Sequence, residues 1–114
     1  MSNTLIDKQQ KLHSILLPIN GNENVYYQPP GSLKIKYPAI VYKRADINNT
    51  FANNNVYKQD HMYEITVINK DPDSEVSEKI SKLPKCRFNR HFVNDGLNHD
   101  VYIIYLWAIT ALFL

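Results

Sequence analysis

The run from Val56 to Asn69 constrains this chain more than any other stretch. Tyr57, His61, Tyr63, Ile65 and Val67 fall on one side of a two-residue period. Lys58, Asp60, Met62, Glu64, Thr66 and Ile68 fall on the other. A period of two places alternate side chains on opposite faces of a pleated strand, whereas a helix repeats every 3.6 residues. The run therefore reads as one long antiparallel strand.

The remaining elements are shorter. Thr4 to Leu17 reads as a helix capped by Asn3 or Thr4, with Leu5, Leu12, Ile15 and Leu16 on one face and Pro18 and Gly21 ending it. Asn24 to Gln28 is a short strand stopped by Pro29-Pro30-Gly31, hence an edge strand. Ala39 to Lys43 is a strand whose apolar run suits cover on both faces. Arg44 to Asn55 is expected to be a loop, because its asparagines favour turns and left-handed backbone. Asp71 and Pro72 suit the cap and first position of a second helix, with Val76, Ile80 and Leu83 as its apolar stripe and Pro84 as its end. Cys86 to Val93 and Asn98 to Leu106 are two strands joined through Asn94-Asp95-Gly96-Leu97, where Asp-Gly is the clearest hairpin signal in the chain. The order α-β-β-β-α-β-β predicts a single α+β domain over residues 1–106, a mixed or antiparallel sheet flanked by two helices.

The chain has 114 residues, enough for one core without a disulfide or metal staple. Its one cysteine, Cys86, has no internal partner and fits a reducing compartment as a small apolar residue. A formal net charge of +2, with lysines scattered among acids, does not by itself indicate nucleic acid. The start, Met1-Ser2-Asn3-Thr4, lacks the basic and apolar regions of a secretory leader. Residues 107–114 form an apolar extension. The nearly apolar run from Val101 to Leu114 is shorter than the about 20 residues a membrane helix needs, so no membrane partner is expected. Left exposed, the extension would promote aggregation, so it is expected to be buried or disordered.

No constellation for catalysis emerges. The glycines at 21, 31 and 96 are isolated, which leaves no phosphate loop, and a single cysteine cannot make paired-cysteine zinc spacing. His91, His99 and Asp100 are the most enzyme-like group, since the two histidines lie on the two strands of the predicted hairpin. Asp71, Asp73 and Glu75 lack the glycine and distal glutamate of a calcium loop. The expectation is no enzyme, no cofactor and no metal. Eight tyrosines in a small sheet protein suit core rims and subunit contacts. With the asparagine stretch carrying Phe51, they favour a protein–protein interaction unit.

Read in series, several segments resemble a known family. They are Val25-Tyr26-Tyr27-Gln28-Pro29-Pro30, Tyr37-Pro38-Ala39-Ile40-Val41-Tyr42, Phe51-Ala52-Asn53-Asn54, Tyr63 through Ser74, Leu83 through Arg90, and Asn98-His99-Asp100-Val101-Tyr102. In order and spacing the chain is similar to the tail-completion or tail-terminator (head–tail joining) proteins of long non-contractile-tailed phages. The resemblance implies a tail-terminator-like fold and a homohexameric ring. That ring would contact the head-closure or connector protein and the major tail-tube protein, with only transient non-specific DNA contact in its channel. It implies a place in the virion neck, after assembly in the host cytoplasm. Arg44, Phe51, Asn53, Asn54 and Tyr57 are the expected interface residues. The alternative reading is a small protein- or nucleic-acid-binding module without catalysis.

Overall fold

A computed structural model describes the backbone of residues 4–109. In chain order the elements are α1 (Thr4–Asn20), β1 (Val25–Tyr27), β2 (Ala39–Ala52), β3 (Asn55–Asn69), α2 (Glu75–Ser81), β4 (Cys86–Asn94) and β5 (Leu97–Ile109). The five strands form one mixed sheet in the order β1-β2-β3-β5-β4. β1 runs parallel to β2 and every other pair is antiparallel. The chain is thus an α+β protein built on a single sheet.

Both helices lie on the same side of the sheet. Leu12 and Leu16 of α1 and Ile80 of α2 are fully buried against Ile40, Tyr42, Tyr63, Ile65, Tyr102 and Ile104. The two-residue period explains the fit: Tyr63, Ile65 and Val67 are buried, while Met62, Glu64 and Thr66, which alternate with them, are half-exposed. Tyr27, Tyr42 and Tyr63 stand in a row with ring centroids 5.0 and 6.4 Å apart. The Tyr42 hydroxyl accepts from Gln9 Nε2 at 2.6 Å and meets His13 Nδ1 at 2.7 Å, which satisfies it beneath α1.

Several boundaries differ from the sequence reading. Helix α1 passes through Pro18 and ends at Asn20. A proline in the last turn removes one ladder bond near an end that is already short of partners. Gly21 makes the stop: its φ is +77° and its amide donates to the Leu17 carbonyl at 3.1 Å. Helix α2 is capped by Ser74, not Asp71, and Pro72 is not its first residue. The Ser74 side chain accepts from the Ser77 amide at 3.1 Å. The preceding residues are held in consecutive side-chain turns, in which Asn69 Oδ1 accepts from Asp71 N and Asp71 Oδ1 accepts from Asp73 N.

The largest difference concerns Arg44 to Asn55. The expected loop is strand as far as Ala52, continuous with the segment that begins at Ala39. Its ladder to β3 runs from Ala39↔Ile68 to Ala52↔Asn55. This hairpin extends the molecule to 51 Å along its long axis, against 25 and 23 Å across. The radius of gyration is 15.5 Å, where a rounded chain of this length has about 13 Å. Strand β5 also runs past Leu106, its backbone pairing Trp107, Ala108 and Ile109 with Asp60, Gln59 and Lys58. Beyond this backbone pairing, the expected burial or disorder of the 107–114 extension lies outside the described residues.

Candidate functional site

The arm formed by β2 and β3 holds the five residues that the sequence marked as interface. Its turn is Asn53-Asn54, with φ of +52° and +64°. Two successive left-handed residues make the tight turn whose twist matches paired strands, and asparagine adopts that backbone more readily than most side chains. Just below, Phe51 is 63% exposed. Asn48, Asn49, Thr50 and Asn55 are exposed too. Two register shifts bend the arm. Ala45 is unopposed between the pairs Arg44↔Tyr63 and Asp46↔Met62, and Tyr57 is unopposed between Thr50↔Lys58 and Phe51↔Val56.

β1 pairs with β2 at Ile40 to Tyr42 and no further. The outer edge of β2 from Lys43 to Ala52 is therefore without a strand partner among the described residues. Arg44 sits at the arm's base, where its amide donates to Gln28 Oε1 at 3.4 Å. It borders a shallow depression with Leu5, Ile6, Gln9 and Tyr27. The structure thus spreads the five expected residues along one arm: Arg44 at the base, Phe51, Asn53 and Asn54 at the tip, and Tyr57 at a bulge.

The enzyme-like group comes apart. The hairpin register pairs His91 with Asp100 and Phe92 with His99. Successive residues face opposite ways, so the two histidines lie on opposite faces of the sheet. His91 Nδ1 meets Asp100 Oδ1 at 2.6 Å. Asp100 Oδ2 accepts from Ser77 Oγ at 2.7 Å, and Ser77 Oγ meets the Tyr102 hydroxyl at 2.6 Å. The hydroxyl also donates to the Ser77 carbonyl at 3.2 Å. Asp100 is thus consumed in joining α2 to β5 and β4. His99 stacks on Phe92, with centroids 4.5 Å apart. Burial pushes the half-buried Cys86 thiol up to about 11, which disfavours the nucleophilic thiolate. Among the described residues no group of three or more His, Cys, Asp or Glu side chains is placed to hold a metal ion. No helix among them is long and apolar enough to cross a membrane.

Sequence reading placed His61 on one face of the long strand, with Tyr63, Ile65 and Val67, but gave it no role. It is fully buried where the arm joins the body. Nε2 meets Gln59 Oε1 at 3.1 Å, so it carries the proton, and Nδ1 has no partner. Burial first, then the charges of Lys8 and Arg44, hold its pKa below the ordinary 6.5, against a smaller opposing effect of Asp60. Below pH 6.5 the unfolded chain takes up a proton that the folded chain resists. Stability is therefore complete above pH 6.5 and falls as pH drops toward the depressed folded value. Urea titrations at pH 7.5 and pH 5 are expected to show a larger loss for the native chain than for His61→Leu. Equal losses would contradict the buried neutral imidazole.

No protein-family model matches the sequence, and no curated protein matches it significantly.

Proposed function

We propose that this chain is a structural, non-catalytic subunit of a homo-oligomeric ring at the head–tail junction of a tailed phage. There it terminates the tail tube or joins it to the head connector. The observation that carries this reading is the β2–β3 arm: a polar hairpin with an exposed phenylalanine near its tip and an unpaired outer edge. An arm of this kind contributes little to its own core. It reaches a neighbour, and a contact in which the arm of one copy meets a different surface of the next is head-to-tail. Such contacts close into rings when the rotation per copy fits. Exposed Phe51 is the type of side chain that anchors an interface. The resemblance of the motif series quoted above supports a position in the virion neck, in contact with the connector and the tube.

Electron microscopy of particles assembled without this protein tests the placement. Abnormally long tails identify a terminator, and normal tails unattached to filled heads identify a joining protein. Particles of normal length with heads and tails joined would overturn both.

A further inference from the structure

The sheet face opposite the helices carries an arrangement that neither the core nor the arm uses. Its cross-strand rows follow from the register. One row is Lys43, Glu64, Ile103 and Arg87; the next is Val41, Thr66, Val101 and Arg90; the third is Ala39, Ile68, His99 and Phe92. Ile103, Val101 and Ile68 are apolar members of the central strands, and the cations Lys43, Arg87 and Arg90 stand at the margins of the first two rows. Glu64 is the one carboxylate in the three rows, and it lies 3.8 Å from Lys43 and 3.7 Å from Arg90. These pairs are exposed on the cationic side, so the coupling is weak and is readily exchanged for a stronger anion. Arg87 is exposed and has no ion pair among the described residues. Arg90 lies 5.7 Å from the centroid of Phe92, which is itself stacked on His99. The crossover from β1 to β2 adds to this face, because the Lys36 amide donates to the hydroxyl of Tyr26, the β1 residue that alternates away from the helices.

We infer that this helix-free face binds the phosphate backbone of nucleic acid without reading sequence. The argument is charge complementarity. Arg87, Arg90 and Lys43 oppose a single carboxylate in these rows, which is already shared between two of them. Planar guanidinium groups suit phosphate oxygens, and Arg90 is held in place by the Phe92 ring. Toward the arm the face returns to neutrality through Asp46 and the Lys58–Asp60 pair at 3.7 Å, so the cationic zone is bounded. The inference deepens the non-specific DNA contact expected of the ring by assigning it to one face and its arginines, and binding by the free chain tests it separately from ring assembly.

The test is binding of the full chain to a short fluorescent DNA duplex of mixed sequence across a salt series. The expected dissociation constant is on the order of 10⁻⁶ to 10⁻⁴ M, with log K falling against log salt at a slope of about −2 to −3. Arg87→Gln with Arg90→Gln is expected to weaken binding at least about tenfold and to make the slope shallower by about 2. Arg87→Gln alone, which leaves the Arg90 contacts intact, should make it shallower by about 1. Lys79→Gln with Lys82→Gln, in α2 and at its C-terminal cap across the sheet, should change neither, and a chain with Phe51→Asp should keep the arginine-dependent slope. Failure to bind at low salt overturns the inference, as does binding unaltered by the arginine changes. Equal affinity for poly-glutamate would assign the face to an acidic protein instead.

Discussion

A chain in which Phe51 is replaced by aspartate is expected to fold normally and to lose self-assembly. The ring is proposed to depend on the arm, and Phe51 is a large apolar side chain that the arm exposes, at 63%. In the isolated subunit the ring packs on little, so the substitution should change unfolding free energy by no more than about 0.5 kcal/mol. At a subunit boundary the same residue becomes a desolvated aromatic anchor, for which truncation costs about 2 kcal/mol or more. A carboxylate in its place adds the penalty of a buried unpaired charge. That loss recurs at every boundary of a closed ring, so assembly fails as a whole. Denaturant titration and sedimentation of the same sample separate the two effects. A variant that still assembles would exclude Phe51 as an anchor, and one that fails to fold would show that the ring pins its own arm.

Ile80→Ala is expected to cost about 2–5 kcal/mol, the range for truncating a fully buried isoleucine. Ile80 is the large apolar side chain that α2 buries. The helix has seven residues, too few to persist without tertiary support. Its other ties are Val76, partly buried against the core, and the polar links of Ser77 to Asp100 and Tyr102. With the apolar anchor gone, α2 should open well before the sheet. Hydrogen exchange would then show protection lost first over residues 75–81, with β3 and β5 retaining theirs. Uniform loss across the chain would mean that α2 and the sheet form one cooperative unit.

The parts of the fold that were legible in the sequence are those where one face is buried. The Val56–Asn69 period is visible because Tyr63, Ile65 and Val67 enter the core and the intervening residues do not. The Asp95-Gly96 turn is visible because left-handed backbone has few chemical solutions; its φ values are +52° and +73°. The arm was not legible for the opposite reason. From Asn48 to Asn55 both faces meet solvent, so no alternation forms, and asparagine disfavours strands as a single residue. The ladder to β3 holds this segment, and a ladder leaves no mark in one strand's sequence. Asn53 and Asn54 carry the turn chemistry that the whole stretch seemed to have.

The pairing of His91 with Asp100 was closer to hand. With Asp95 and Gly96 as a two-residue turn, Asn94 meets Leu97, and counting outward brings His91 to Asp100 and Phe92 to His99. Ser77 was hidden because its partners come from a strand more than 20 residues away, and spacing along the chain does not show such contacts. The cationic face was hidden similarly: Lys43, Arg87 and Arg90 are scattered in sequence and share a face through the register of four strands.

The central claim is that the molecule is one segment of a ring closed through its arm. The direct measurement is the mass of the protein in solution across a concentration series, by sedimentation or native mass spectrometry, for the native chain and for Phe51→Asp. The account predicts a closed hexamer of the 13.3 kDa subunit for the native chain and a monomer for the variant. A native chain that stays monomeric at every concentration, or an oligomer indifferent to Phe51, would contradict it.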